Sequence, residues 1–149
     1  FKSIVCLETM AGTGTTLGFR FEQLAYLLKN GQPAGGDRLG VCFDTCHVFA
    51  AGYAMETEKE YRATMSKFNR TVGTKKVRAF HLNDSKTPFG SRVDRHEHIG
   101  KGHLGLEPFR HLMNDRRFRK VPMYLETPKG DRGKSSWDVA NLRTLRKLV

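Results

Sequence analysis

Four side chains able to bind a divalent cation stand where four short apolar runs end. Glu8 follows Ile4–Leu7, Asp44 follows Leu39–Phe43, His81 lies within Val77–Leu82, and Glu126 follows Val121–Leu125. Read as parallel strands, such runs bring their carboxyl ends to one face, where α/β sheets and barrels build their sites. Three carboxylates in one small volume repel unless positive charge lies between them, and a metal ion is the simplest source of it. A single strand-end acid is commonly a cap or a loop salt bridge. The same placement on four consecutive runs is what points to chemistry. His47 lies three residues beyond Asp44, and Asp94-Arg-His96 sets an acid and an imidazole on the same side of an extended segment. Imidazole and carboxylate without thiolate make a donor set suited to Zn, Mn or Fe. Cys42-x-x-x-Cys46 has no matching second pair, so the three cysteines read as small apolar or loop residues. His98, His103 and His111 read as surface residues.

These side chains need a scaffold, and the pattern supplies one. Each apolar run is followed by helix-like periodicity. Leu17, Phe21, Leu24, Ala25 and Leu28 recur at helical spacing, and the Gly-rich stretch 31–36 stops that helix. Thr57 and Glu60 form a capping box ahead of Tyr61, Met65, Phe68 and Val72. Pro108 suits the first turn of a helix carrying Phe109, Leu112 and Met113. Ser135–Asp138 caps a last helix whose inner face is Val139, Leu142, Leu145 and Val149. Four strand–helix units predict an α/β fold with parallel strands and crossover helices. Gly12-Thr-Gly14 lacks the lysine ending of a phosphate loop and reads as a tight strand-to-helix turn.

Charge is unevenly placed. Residues 1–74 carry 8 Lys/Arg and 7 Asp/Glu, and residues 75–149 carry 18 and 8, so nearly all of the net +11 lies in the second half. A polyanion, nucleic acid first, is the partner such a field suits. The long loop 83–104 brings Lys86, Arg92 and Arg95 together with Ser85, Ser91 and Gly90, an inventory of donors for phosphate oxygens beside the candidate metal residues. Arg116–Lys120 and Lys129–Lys134 belong to the general basic field. No stretch approaches the 18 apolar residues of a membrane-spanning helix. With no secretory segment and an odd cysteine count, the expected location is cytoplasmic, beside the nucleoid if the source is bacterial.

At these residues the sequence resembles the endonuclease IV family of abasic-site endonucleases. The motifs are Leu7-Glu-Thr-Met-Ala-Gly-Thr-Gly14, Gly40-Val-Cys-Phe-Asp-Thr-Cys-His47, His81-Leu-Asn-Asp-Ser-Lys86, Gly90-Ser-Arg-Val-Asp-Arg-His96 and Leu125-Glu-Thr-Pro128, in order along the chain. The resemblance implies a TIM-type (β/α)₈ barrel with three zinc ions at the strand carboxyl ends, Mn2+ being a substitute. The implied reaction is hydrolysis of DNA on the 5′ side of an abasic site, leaving a 3′-hydroxyl and a 5′-deoxyribose phosphate. The implied partner is double-stranded DNA with abasic sites or blocked 3′ ends. Carried over by position, Glu8 bridges the first two zincs, and Asp44, His81 and Glu126 complete the second. His47, Asp94 and His96 hold the third. Glu126 also orients the attacking water, so Glu8 and Glu126 are the catalytic pair. Lys86, Ser91, Arg92 and Arg95 meet the DNA.

The same resemblance implies that residues 1–149 are the carboxyl-terminal half of the barrel. Four βα units are present, a half barrel. Two further histidines of the first zinc site and the loops that wedge into the duplex belong to the amino-terminal half, which the complete barrel needs. The chain opens at Phe1, almost inside an apolar run, as a fragment would. Two other functions use parts of this pattern. A sugar isomerase or epimerase barrel needs the strand-end Glu, Asp, His and Glu but not His47, Asp94 and His96. A non-catalytic DNA-binding remnant needs only the basic field.

Overall fold

The computed structural model describes residues 3–31, 38–133 and 135–149. The chain order is β1 (Val5–Glu8), α1 (Phe21–Asn30), β2 (Leu39–Asp44), α2 (Thr45–Ala50), α3 (Glu58–Thr71), β3 (Val77–His81), β4 (Asp84–Ser85), β5 (His96–Glu97), α4 (Glu107–Met113), β6 (Met123–Tyr124), β7 (Asp131–Arg132), β8 (Ser135–Ser136) and α5 (Trp137–Arg146). Strands β1, β2, β3 and β6 form one parallel sheet in that order. Four βα units with consecutive strands adjacent are the expected half barrel.

Register sets the height of each strand end. Glu8 pairs with Cys42, Asp44 with His81, and His81 with Tyr124, so Glu126 emerges two residues beyond the last pair. Side chains alternate across a strand. Val41 and Phe43 of β2 join the hydrophobic core on the helix side, and Cys42 and Asp44 face the other way, toward Glu8 and His81. The helix side is packed by a row of aromatic contacts. Phe21 stacks on Tyr53 at 3.8 Å, meets Phe68 edge-on at 5.1 Å, and the row continues through Phe43 and Phe80 to Phe118. Burying each such ring contributes about 1.5–3 kcal/mol, which holds the sheet to α1 and α3. The opposite face is open at its edges: Cys6 is exposed there, and Tyr124 is 55% exposed. Parallel sheets are normally covered on both faces.

The capping box at Thr57 and Glu60 forms as expected, with Glu60 N–H donating to Thr57 Oγ1 and Glu60 Oε2 accepting from Thr57 N. Elsewhere the sequence reading needs correction. Leu17 lies outside α1 and is exposed. The stop after α1 rests on Gly31; positions 32–37 lie outside the described residues. Helix α2 was not expected at all. The last apolar run pairs over only Met123–Tyr124. On α5 the buried side chains are Asn141 and Leu145, with Leu148 just beyond the helix, whereas Val139 is 41% exposed and Leu142 42%. The inner face therefore includes a polar residue, which a count of apolar positions passes over. Among the described residues no helix is long and apolar enough to cross a membrane.

Candidate metal centre

The seven residues singled out in the sequence meet at the carboxyl end of the sheet in two main groups, with Cys42 beside Glu8 and His81 and Cys46 beside Asp44 and His96. In the first, His81 Nδ1 lies 2.9 Å from Glu8 Oε1, 3.0 Å from Glu126 Oε2 and 3.8 Å from Asp44 Oδ2. One nitrogen surrounded by three carboxylate oxygens is a strongly anionic spot. In the second, His47 Nε2 lies 3.1 Å from Asp94 Oδ1, His96 Nε2 lies 3.3 Å from the same oxygen, and the two ring nitrogens are 3.3 Å apart. Asp44 Oδ2 stands between the groups, 3.7 Å from His96 Nε2.

The second group can be tested for fit to a cation. His47 Nδ1 is 2.8 Å from Thr9 O, and His96 Nδ1 is 3.2 Å from Glu126 O. A carbonyl cannot donate, so both Nδ1 atoms carry a hydrogen, and the Nε2 of each ring is left to hold either a metal ion or, without one, a second proton. Two Nε2 atoms and a carboxylate oxygen then face one another, an arrangement that needs positive charge among them, supplied by protons on the rings or by a cation in their place. Ligands about 2.0–2.1 Å from a tetrahedral zinc are separated by about 3.3–3.4 Å, close to the three spacings found here. Residues and geometry fit a Zn-sized ion.

Electrostatics agree. Burial opposes charge on His47, but Glu8, Asp44 and Asp94 overcome it and raise the imidazole to about 9. Hydrogen bonds to Cys42 and Glu8 raise His81 to about 11. Burial would raise Glu8, yet His47 and His81 hold it down to about 2. Asp44, fully buried, is pushed upward by loss of solvent. The site thus gathers positive charge wherever its own residues can supply it. Cys46 lies within reach of Asp44 and His96, and burial first, then Asp44, pushes its thiol up to about 12, so without a metal it stays protonated.

Several ligand candidates are held by neighbours that sequence reasoning missed. Thr9, Thr45 and Thr127 directly follow Glu8, Asp44 and Glu126, and all three are buried. Thr9 Oγ1 accepts from Asp44 N at 2.8 Å, while Thr45 Oγ1 donates to Asn83 O at 2.7 Å. Asp44 Oδ1 caps α2 by accepting from His47 N at 2.8 Å, which is how one short helix presents His47 to the site. The recurring acid–Thr dipeptide at three strand ends was the available signal. Asn141 of α5 donates to Thr127 Oγ1 and His98 Nδ1 and accepts from Ile99 N, tying together the segments after Glu126 and His96. His98 is therefore not a surface residue: it is buried, with its ring stacked on Trp137 at 3.8 Å.

The long loop is an ordered structure. Strands β4 and β5 pair antiparallel within it, closing residues 86–95 into a hairpin loop. Buried Asp84 accepts from Ser85 N, Leu104 N and Gly102 N at 2.7, 2.9 and 3.0 Å. Gly102 leaves no room for a side chain: a Cβ there would lie 2.2 Å from Ser85 O. Lys86, Arg92 and Arg95 are exposed on this loop. Arg92 holds a left-handed backbone (φ 54°), fixed by its N–H to Ala50 O and by Thr13 Oγ1 donating to its carbonyl. Ser91 Oγ bonds Thr87 Oγ1 at 2.9 Å within the loop. A cleft of about 810 Å³ lies away from this centre, between α3 and α4. Its Arg62 and Arg117 are paired with Glu58 and Asp115.

Comparison with known proteins follows the same lines. A probable endonuclease 4 of Geobacter sulfurreducens is 56% identical over 149 residues, which is 100% of this chain and 49% of that protein. One of Chloroflexus aggregans is 52% identical over 147 residues, covering 99% of this chain and 50% of its own length. The crystal structure of endonuclease IV from Thermus thermophilus superposes with a TM-score of 0.80 and 36% identity, over 97% of this chain and 49% of that one. The chain spans about half the length of the curated relatives it matches. Residues 2–148 match the sequence model of the family described as xylose isomerase-like TIM barrel, and to that family the chain belongs.

Proposed function

We propose that these residues are the carboxyl-terminal half of a zinc-dependent DNA-repair endonuclease of the endonuclease IV type, which hydrolyses the phosphodiester 5′ to abasic sites. The observation that carries this reading is the second group: His47 and His96, each held through Nδ1 by a backbone carbonyl, aim their Nε2 atoms at one oxygen of Asp94. A sugar isomerase has no task for that group, and a binding remnant has none for either group. Glu8, Asp44, His81 and Glu126 would hold one cation and contribute Glu8 to another; His47, Asp94 and His96 would hold a further one. Cations so held supply Lewis acidity toward phosphate oxygens and lower the pKa of water.

The chain's own residues supply the rest. Glu126 is half-exposed at the mouth of the site, where its carboxylate can orient a water for in-line attack and accept its hydrogen bond. Lys86, Arg92 and Arg95 hold the flanking phosphates without reading bases, as suits a lesion that has none. Ser91 would have to exchange its contact with Thr87 for a phosphate oxygen.

The test is elemental mass spectrometry of the protein as the cell makes it, then incision of a duplex bearing one abasic-site analogue. Two or more zinc atoms with a 3′-hydroxyl product is the expected result. Metal with aldose–ketose interconversion and no incision would establish the isomerase reading instead. DNA binding without metal or incision would establish the remnant.

A further inference from the structure

We propose that Asn83 is a positioning residue of the metal centre, setting both the direction of Asp44 and the point from which Glu126 leaves the sheet. The proposal rests on the metal reading above. Asn83 is fully buried two residues past the end of β3. Its Nδ2 donates to Asp44 Oδ2 at 2.7 Å, and its Oδ1 accepts from Glu126 N at 2.9 Å. Its own backbone is held from both sides by one hydroxyl. Asn83 N donates to Thr45 Oγ1 at 2.9 Å, and Thr45 Oγ1 donates to Asn83 O at 2.7 Å. The backbone that carries the amide is thus tied to the first residue after β2, and the amide cannot swing without losing its bonds to Asp44 and Glu126.

Two consequences follow from what those bonds reach. Asp44 Oδ2 is the oxygen that lies between the two groups, 3.8 Å from His81 Nδ1 and 3.7 Å from His96 Nε2. Asp44 Oδ1 is already committed to the α2 cap, so the Asn83 donor fixes the remaining torsion of that carboxylate. On the other side, β6 pairs with β3 over only two residues, and the last backbone bond between them runs from Leu82 N to Tyr124 O. The Asn83 side chain takes the next place in the ladder and receives Glu126 N–H. A side-chain amide thus extends a strand too short to bring its own acid into register. Neighbours that orient metal ligands in this way typically change metal affinity 10–100-fold when replaced.

Asn83→Asp keeps the shape but sets a carboxylate against Asp44 Oδ2. Asn83→Ala removes both bonds. Each variant, made in the protein as the cell makes it, is titrated with zinc against a chromophoric chelator, and its denaturant midpoint is recorded. Met65→Ala, in the core on the far side of the sheet, is the comparison for lost stability alone. The expected result is about a 10–100-fold loss of zinc affinity in the Asn83 variants, with wild-type affinity in Met65→Ala. If Asn83→Asp does not fold, Asn83→Ala carries the comparison. Zinc affinity unchanged in an Asn83 variant, or reduced equally in Met65→Ala, would overturn the proposal alone. Wild-type protein that takes up no zinc would overturn the metal reading and this inference with it.

Discussion

Asp84 is the residue whose removal should do most to the long loop, and its effect can be worked out from three bonds. Its carboxylate is buried and accepts from the backbone N–H groups of Ser85, Leu104 and Gly102. Asp84→Ala leaves all three donors without an acceptor. An orphaned buried donor costs about 1–3 kcal/mol, so the sum could reach about 9. The loop can open and let water reach the donors, which caps the loss at the cost of opening, about 3–5 kcal/mol on the scale of a broken buried pair. Asp84→Asn retains one oxygen, which can still serve Ser85 and Leu104, and sets an amide N–H against Gly102 N–H. It should cost about 1–3 kcal/mol. The assay is hydrogen exchange by mass spectrometry on peptides covering residues 84–104. A loss of about 3 kcal/mol is roughly a hundredfold faster exchange at about 1.4 kcal/mol per tenfold. Peptides from α3 should be little changed, because opening is local. Unchanged exchange in Asp84→Ala, or an Asn variant as damaged as the Ala variant, would contradict the three-bond account.

Other outcomes can be checked separately. Gly102→Ala should loosen the same segment, since its Cβ would lie within 2.6 Å of Asp84 Oδ1, and hydrogen exchange reads it directly. Arg92→Ala should weaken DNA binding and flatten its log–log salt dependence by about 0.9 for each phosphate no longer neutralised; an unchanged slope would remove Arg92 from the DNA face. Cys46→Ser should leave zinc content as it was, because the thiol is held protonated, and a lost zinc would make it a ligand. Asp115 works on stability. Burial alone would raise its carboxyl, but Arg117 and Tyr61 hold it below the usual range. The unfolded state then binds more protons, so the stabilisation is complete above the ordinary carboxylate pKa of about 3.9 and disappears as pH falls through the lower folded value. Asp115→Asn should thus reduce the denaturant midpoint at neutral pH and flatten its decline in acid; a parallel decline would contradict the pairing.

Sequence order carried the architecture because each strand-end ligand candidate stands at or near the end of its own apolar run. Placement on successive strands is enough to bring Glu8, Asp44, His81 and Glu126 together, and the Asp94-x-His96 spacing brings the loop in. What stayed hidden were residues whose roles depend on partners far along the chain. Helix α2 is six residues long and follows Asp44 with no gap, so its capping acid doubles as a ligand candidate and its periodicity is too short to register. Asn83, Asp84, His98 and Asn141 are polar by type and buried by circumstance, each satisfied by bonds that span the fold. The exposed Val139 and Leu142 misled in the opposite sense. Apolar type suggested an inner face, but the structure turns Asn141 and Leu145 inward.

The tethering of residues 84–104 also bears on how the protein would meet a nucleic acid. A basic segment that folds only on contact must lose its chain entropy during binding, and that leaves a large negative heat-capacity change. Here the cations of Lys86, Arg92 and Arg95 ride on a segment already ordered by β4–β5 pairing and by Asp84. Encounter with a duplex should therefore be governed by charge steering and orientation, with association rates falling steeply as salt is raised. If the proposed function holds, any ordering cost would fall chiefly on the DNA, through bending or unstacking toward the candidate metal centre. Discrimination between damaged and intact duplex would on this account lie in the deformability of the nucleic acid, since a rigid receptor responds most to whichever partner can yield.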